Sequence, residues 1–565
     1  MNTASLSRRP GGWTTRAFFV YLALAFVFFG IRLLPHPEAR LIGDFDADPQ
    51  IFVWSFAWMA HAVAHGQNPL FTHAIWAPSG FNLVWGTSVP AIALVFTPLT
   101  WVFGPTLSYN VACVLMAALA AWAAFLLCRH ITGALWPSLA GGYLFGFSSY
   151  VLGGELDHIH TVSVFTVPLV ALLVLKFVEA EVSARAFTLE LAAVLVFQAY
   201  VSTEILFTLT LALLCSLVLA FALVPLARAR LRRLVAPLAG AYGITALLAA
   251  PILYYALSGY SSRPPPGSEQ FTGDLLNLVV PTRISFGGWW TGGIADHFPA
   301  NIIEQGAYLG LPTLVIVCWF AVARRRAPAA RFLICAFALA TLAFLGSWLT
   351  IDGHRIVTLP WIHLASRPFF QNMAPVRLSV YTALAASVMV SLWAASTKTR
   401  RPIRLLMTAL AVLAVTPNLA WHDWVNSPRV PALFTTGLYR SCLPRGENVL
   451  AFPFGPGGTS MLWQADSGFW FRLAGGYVSP TAPPQFMSPH PIQQIAANDQ
   501  PPKVTTGDIR EFVRLKHIDA IVLDAAYAST WQPLLDPLAH PQRIGGAIIY
   551  RLQPGQTAGR CVAPA

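Results

Sequence analysis

The chain has 565 residues, of which 56% are hydrophobic and 11% charged, with a mean hydropathy of +0.59 and a formal net charge of +12. Soluble globular chains carry about 25% charged residues, so a soluble enzyme is excluded, and repeated apolar runs of roughly 18–22 residues indicate a polytopic helical membrane protein. The basic residues sit in short clusters between those runs, which fits membrane orientation and argues against a nucleic-acid partner.

The first apolar run, 17–34, follows Arg8, Arg9 and Arg16 and has no small-residue cleavage site after it, so it reads as an uncleaved span. An outer loop over 35–105 comes next and opens on Gly43-Asp44-Phe45-Asp46-Ala47-Asp48-Pro49. Carboxylates at i, i+2 and i+4 repel one another unless a cation or water screens them. Asp44, Asp46 and Asp48 are therefore candidate general bases, one of them beside a metal-binding carboxylate; the plainer reading is a solvated acidic turn. Residues 51–65 carry a helical apolar and aromatic face that suits the bilayer interface, with Trp54 and Trp58 as interface anchors or sugar-stacking platforms. Residues 89–103 are apolar but short, and Pro90 and Pro98 interrupt them.

Further spans are expected at about 106–128, 134–153, 160–177, 187–200, 203–225, 236–257, 307–323, 330–350, 377–396 and 404–420, making about 11 in all. This assignment puts the N-terminal arginines, Arg129, Lys176 with Arg185, Arg228 to Arg233, Arg324 to Arg326 and Lys398 to Arg404 on one side, the cytoplasmic one. Counting 89–103 as a span would scatter them, so that segment is expected to be re-entrant or interfacial. Asp44, Asp46, Asp48, Glu155, Asp157, Asp274, Asp296, Glu304 and Asp352 then face outward. No carboxylate falls clearly at mid-membrane, which counts against an ion-coupled transporter.

Two further outer loops, 258–306 and 351–376, are long enough to be lids or binding loops. Glu155-Leu156-Asp157-His158-Ile159-His160 occupies a very short outer loop. His158 and His160 there suit an acceptor, a phosphate or a metal, or simply cap helix ends; no third zinc ligand is evident. Arg283, Arg355, Arg367 and Arg377 lie on the outer face, where few basic residues are expected. A guanidinium fork suits phosphate, above all at Arg367 or Arg377, and snorkelling to headgroups is the alternative.

From about 421 the charge density is ordinary. Val449 to Phe454, Ala520 to Leu523 and Ala547 to Tyr550 read as strands. Thr506 to Lys516 reads as a helix with Thr505 as N-cap and Asp508 in its first turn. This is a small α/β domain over 421–565, extracytoplasmic by span parity, where Cys442 and Cys561 can form a disulfide. The other five cysteines are small apolar filler.

Asp48-Pro49-Gln50-Ile51-Phe52-Val53-Trp54, Trp76-Ala77-Pro78-Ser79-Gly80-Phe81-Asn82-Leu83 and Gly146-Phe147-Ser148-Ser149-Tyr150 look like a bacterial group of GT-C-like proteins. The layout over most of 17–420 resembles the GT-C membrane glycosyltransferases. The resemblance implies a mainly α, polytopic bundle over 1–420 in a bacterial inner membrane, with the 421–565 domain periplasmic. It implies transfer of a hexosyl or pentosyl unit from a polyprenyl-phosphate-linked sugar to a glycan or lipid acceptor, with a first-loop aspartate as general base. The roles expected for His158, His160, Arg283, Arg367, Arg377, Trp54 and Trp58 are in substrate binding. A divalent cation, Mg or Mn, is compatible with this chemistry, although no metal ligands are assigned. The alternative is a non-catalytic flippase or export component, or a glycolipid-binding membrane protein.

Overall fold

Apolar runs in a bilayer become helices because a helix satisfies its own backbone hydrogen bonds where no water can. A computed structural model describes residues 11–43, 48–258, 271–478, 482–483, 486, 504–552 and 561. Among them, five helices are long and apolar enough to cross a membrane: Gly12–Leu33, Pro105–Thr132, Ile159–Val178, Thr203–Leu223 and Pro375–Ala395. A broken pair, Pro225–Leu248 with Ala250–Ser258, makes a sixth if it is one span. The chain is a multi-pass membrane protein. Four other expected spans appear as shorter helices: Ala184–Ala199, Leu311–Arg324, Pro328–Phe344 and Arg401–Ala414, of 16, 14, 17 and 14 residues. At 1.5 Å per residue these fall short of a hydrocarbon core about 30 Å thick.

The expected span 134–153 is instead two helices, Leu135–Gly146 and Ser149–Asp157, broken where Ser148 turns extended. Hydropathy cannot register such a break, because its residues are as buried as the helices on either side. Residues 89–103 form two short helices, Pro90–Val95 and Thr97–Phe103, with Leu94, Val95, Trp101, Val102 and Phe103 exposed. An apolar-surfaced, interrupted pair of this length suits an interfacial or re-entrant position.

The chain divides into two compact units, the first comprising 1–34, 111–250 and 262–424, the second 35–110, 251–261 and 425–565. In the first, Ser379–Ala395 packs on Leu135–Gly146 through small residues. Gly141 lies against Ser391 and Cys128, and Gly146 against Ala121, too close in both cases for a Cβ. Backbone approach of this kind is how apolar helices associate where lipid removes the hydrophobic drive.

The second unit holds a five-stranded sheet. Its strands are β1 (Asn448–Phe452), β2 (Arg472–Leu473), β3 (Ala520–Asp524), β4 (Pro541–Ile544) and β5 (Ala547–Arg551). The order is β4-β5-β3-β1-β2, with β1 parallel to both β2 and β3 and the β3–β5–β4 side antiparallel. Strands β1, β3 and β5 and the Thr506–Lys516 helix lie where the apolar runs and cap residues place them, while β2 and β4 are not among the expected strands. Thr505 and Asp508 form a reciprocal capping box. The core shared by this unit joins Leu450, Phe452, Trp463 and Ile521 to Ile51, Trp54, Trp58, Ile75 and Trp76. Residues 41–42 add a short antiparallel pairing with 425–426, and Cys442 and Cys561 are disulfide-bonded.

Candidate functional site

In the first unit, the site is built at the ends of three apolar helices and one loop. The Ser149–Asp157 helix stops at His158, whose non-helical backbone joins it to the next helix, Ile159–Val162. This puts Glu155, Asp157, His158 and His160 together at a helix end, and Glu155, Asp157 and His160 are buried. Two glycines bring the loop bearing Glu304 alongside. A Cβ at Gly153 would collide with the Ile303 carbonyl, and one at Gly306 would sit 2.8 Å from the Tyr150 Cα. The His158 Nδ1 is consequently 3.5 Å from a Glu304 oxygen.

Arg377 completes the arrangement from the short 3-10 turn Pro375–Leu378 that opens the last long span. Its Nε lies 3.1 Å from both Glu304 oxygens, Nη2 donates to Glu304, and Nη1 donates to Glu204. Glu204 sits in the first turn of Thr203–Leu223, where the helix N-terminus favours a negative charge, and also accepts the Ala374 N–H at 3.2 Å. Burial alone would raise the Glu304 carboxyl, but Arg377, and after it His158, outweigh that and hold it below the ordinary carboxylate value. Glu155 has no such partner. Among the described residues neither of its oxygens makes a hydrogen bond, and burial pushes its carboxyl well above the usual range. One carboxyl is thus kept charged and the other disposed to keep its proton, a separation of roles typical of functional sites.

Asp157 Oδ2 and His158 Nε2 are 3.8 Å apart, a carboxylate and an imidazole whose donor chemistry suits a divalent first-row cation. A second such group, His130 with Glu179 at 2.7 Å and Glu181 at 3.9 Å, has both carboxylates about half exposed.

The remaining expected site residues divide. Asp44 and Asp46 lie outside the described residues; Asp48 is half-buried in the first turn of the Asp48–His65 helix. Arg367 is exposed and makes no ion pair among the described residues; it lies on the segment whose Trp361, Ala365, Phe370, Met373 and Pro375 line a shallow, open depression. Arg283 pairs with Asp296 at the surface, and Arg355 lies over the Trp348 ring. Three expectations need correction. Arg377 is not an open phosphate receptor, because two carboxylates already occupy its fork. Trp54 and Trp58 are neither interface anchors nor sugar platforms: they stack on each other at 5.8 Å inside the second unit, 0% and 5% exposed. The Trp54 indole N–H donates to Gln464 at 2.7 Å, and that of Trp58 to the Pro69 carbonyl. From the sequence, Glu204 is not singled out and Glu304 is assigned no role. Their placement at span ends on the outer side was the available signal.

A family model described as a domain of unknown function, DUF6311, matches residues 18–416. No curated protein matches the sequence. Among solved structures, the oligosaccharyltransferase AglB from Archaeoglobus fulgidus, in complex with an inhibitory peptide and a dolichol-phosphate, aligns with a TM-score of 0.53 at 10% identity, over 96% of this chain and 74% of that one. The arabinofuranosyltransferase AftD from mycobacteria aligns with a TM-score of 0.52 at 15% identity, over 96% of this chain and 40% of that one. The fold is therefore that of the GT-C membrane glycosyltransferases.

Proposed function

The chain belongs to the DUF6311 family, and we propose that it is a membrane glycosyltransferase that moves a sugar from a polyprenyl-phosphate donor to a hydroxyl acceptor on the periplasmic face of a bacterial inner membrane. The observation that carries this reading is the enclosed constellation of Glu155, Asp157, His158, Glu304 and Arg377 at helix ends within a GT-C fold. Enclosed, cross-linked charges are costly unless chemistry or binding uses them. The disulfide between Cys442 and Cys561 supports an oxidising compartment for residues 425–565.

In the reaction, a first-loop aspartate, Asp44, Asp46 or Asp48, takes the proton of the acceptor hydroxyl. The oxygen attacks the anomeric carbon with inversion, the bond from that carbon to the phosphate oxygen breaks, and the transition state has oxocarbenium character. The exposed guanidinium of Arg367 meets the donor phosphate through a charge-assisted pair. His158, oriented by Glu304, supplies a second hydrogen-bonding group for substrate. Where a divalent cation takes the place of that bond, Asp157 and His158 would hold it, and it would supply Lewis-acid stabilisation of the departing phosphate.

General-base assistance contributes typically 10²–10⁴-fold. Asp46→Asn is expected to lose activity on that scale while still inserting in the membrane, measured as transfer of labelled sugar by purified protein. Full activity in single asparagine variants at all three aspartates removes the base from this loop. No transfer by the wild-type chain with any polyprenyl-phosphate sugar favours a non-catalytic glycolipid-binding role.

A further inference from the structure

The second unit carries a cluster of arginines that the proposed reaction does not use. Arg440 and Arg445 both lie over the same indole, that of Trp470, with guanidinium carbons 5.9 and 5.6 Å from the ring centroid. Arg440 also lies over Tyr439 at 5.7 Å. The Trp470 ring is fixed by its N–H, which donates to the Leu443 carbonyl at 2.7 Å. Arg472 adjoins the same turn, donating from Nε to the Gly446 carbonyl at 2.9 Å. All three arginines are exposed, and among the described residues none pairs with a carboxylate. Glu447, the acid beside them in sequence, is buried and taken by Arg551. His61 borders this surface as a neutral ring. It stacks with His65 at 4.1 Å and meets Phe469, the neighbour of Trp470, at 4.8 Å. Burial, His65 and Arg445 together push the His61 ring down to about 4.

Two like charges over one aromatic ring, with a third on the adjoining turn, repel one another and are stabilised when an anion sits among them. A planar fork beside an aromatic face matches a ring-shaped ligand bearing carboxylate, phosphate or sulfate groups. Membrane docking fits less well. Among the described residues of 425–552, the large apolar side chains exposed to solvent are Leu515 and Tyr527 alone, so the surface offers little to insert into lipid.

We propose that Arg440, Arg445, Arg472 and Trp470 form a binding surface for an acidic glycan. The proposal rests on the glycosyltransferase reading only for the choice of a carbohydrate, and binding is read without catalysis, so either can fail alone. The test uses the full chain in neutral detergent micelles and three probes: a labelled oligogalacturonate, a neutral malto-oligosaccharide of equal length, and phosphatidylglycerol vesicles. The wild-type chain is expected to bind the acidic probe at least tenfold more tightly than the neutral one, and less tightly as salt rises. The triple variant R440Q, R445Q, R472Q is expected to lose that preference, and R445E alone to lose most of it with an unchanged unfolding temperature. Equal binding of both glycans, or an unaffected triple variant, overturns the proposal. So does a triple variant whose loss is confined to the vesicles.

Discussion

Arg377 in the first unit and the arginines round Trp470 in the second are the same side chain put to opposite uses. Arg377 is 16% exposed and its fork is filled by Glu204 and Glu304, which are 17% and 7% exposed. Arg440, Arg445 and Arg472 are exposed and without a carboxylate partner among the described residues. A guanidinium enclosed with its counterions organises protein; one left open on a surface is available to a ligand. Positive charge on the outer side of a membrane protein therefore does not by itself mark a phosphate site.

The largest effect that separates the two classes is expected on stability. Removing one partner of a buried ion pair costs about 3–5 kcal/mol, because the other charges stay buried and unpaired. Arg377→Gln should lower the thermal unfolding temperature in detergent sharply, and adding Glu304→Gln should cost less than the sum of the two changes. The same change at Arg367 should leave the unfolding temperature in place and raise KM for the lipid-linked donor. An Arg377 variant that is stable but binds donor poorly would return that residue to phosphate binding.

The second unit should be held instead by its disulfide and its aromatic core. Cys442→Ser removes a crosslink between residues 119 apart, and disulfides typically contribute about 2–4 kcal/mol. Reductant should shift the wild-type melting curve down to that of the variant, with two additional thiols titrating. If reductant changes nothing, the crosslink does not brace this unit.

The smallest effect concerns pH. The His61 ring has a folded value of about 4, below the ordinary 6.5. The unfolded chain therefore takes up a proton first as pH falls. The stability His61 contributes is complete above 6.5 and is lost between 6.5 and 4. His61→Gln should flatten the dependence of unfolding temperature on pH in that window, read by melts at pH 4.5 and 7. An unchanged slope would mean that burial, His65 and Arg445 do not lower the His61 ring.

Much of the fold was legible in the chain. The helix over 506–516 with its Thr505 cap, and the strands at 448–452, 520–524 and 547–551, follow from local pattern, since capping and short apolar runs depend on neighbours in sequence. The candidate site was legible in part. The 155–160 run declared itself by packing acids and histidines into a short loop beside spans. The network that orders it did not, because Arg377 meets Glu304 and Glu204 across 73 and 173 residues. Trp54 and Trp58 were misread for a related reason. An amphipathic aromatic face looks the same whether lipid or a distant sheet covers it, and here β1, β3 and their helices supply the cover.

The amino-acid sequence alone determined that this protein lives in a membrane, because apolar length and charge deficit are sums over the chain that need no contacts. It also determined that acids and histidines gather at the ends of apolar segments. Only the tertiary structure decided which of those charges are neutralised and which stay open, where the 134–153 run breaks, and which tryptophans vanish into a core. Pairing and burial are properties of neighbours in space, and those neighbours come from stretches of chain that local pattern cannot connect.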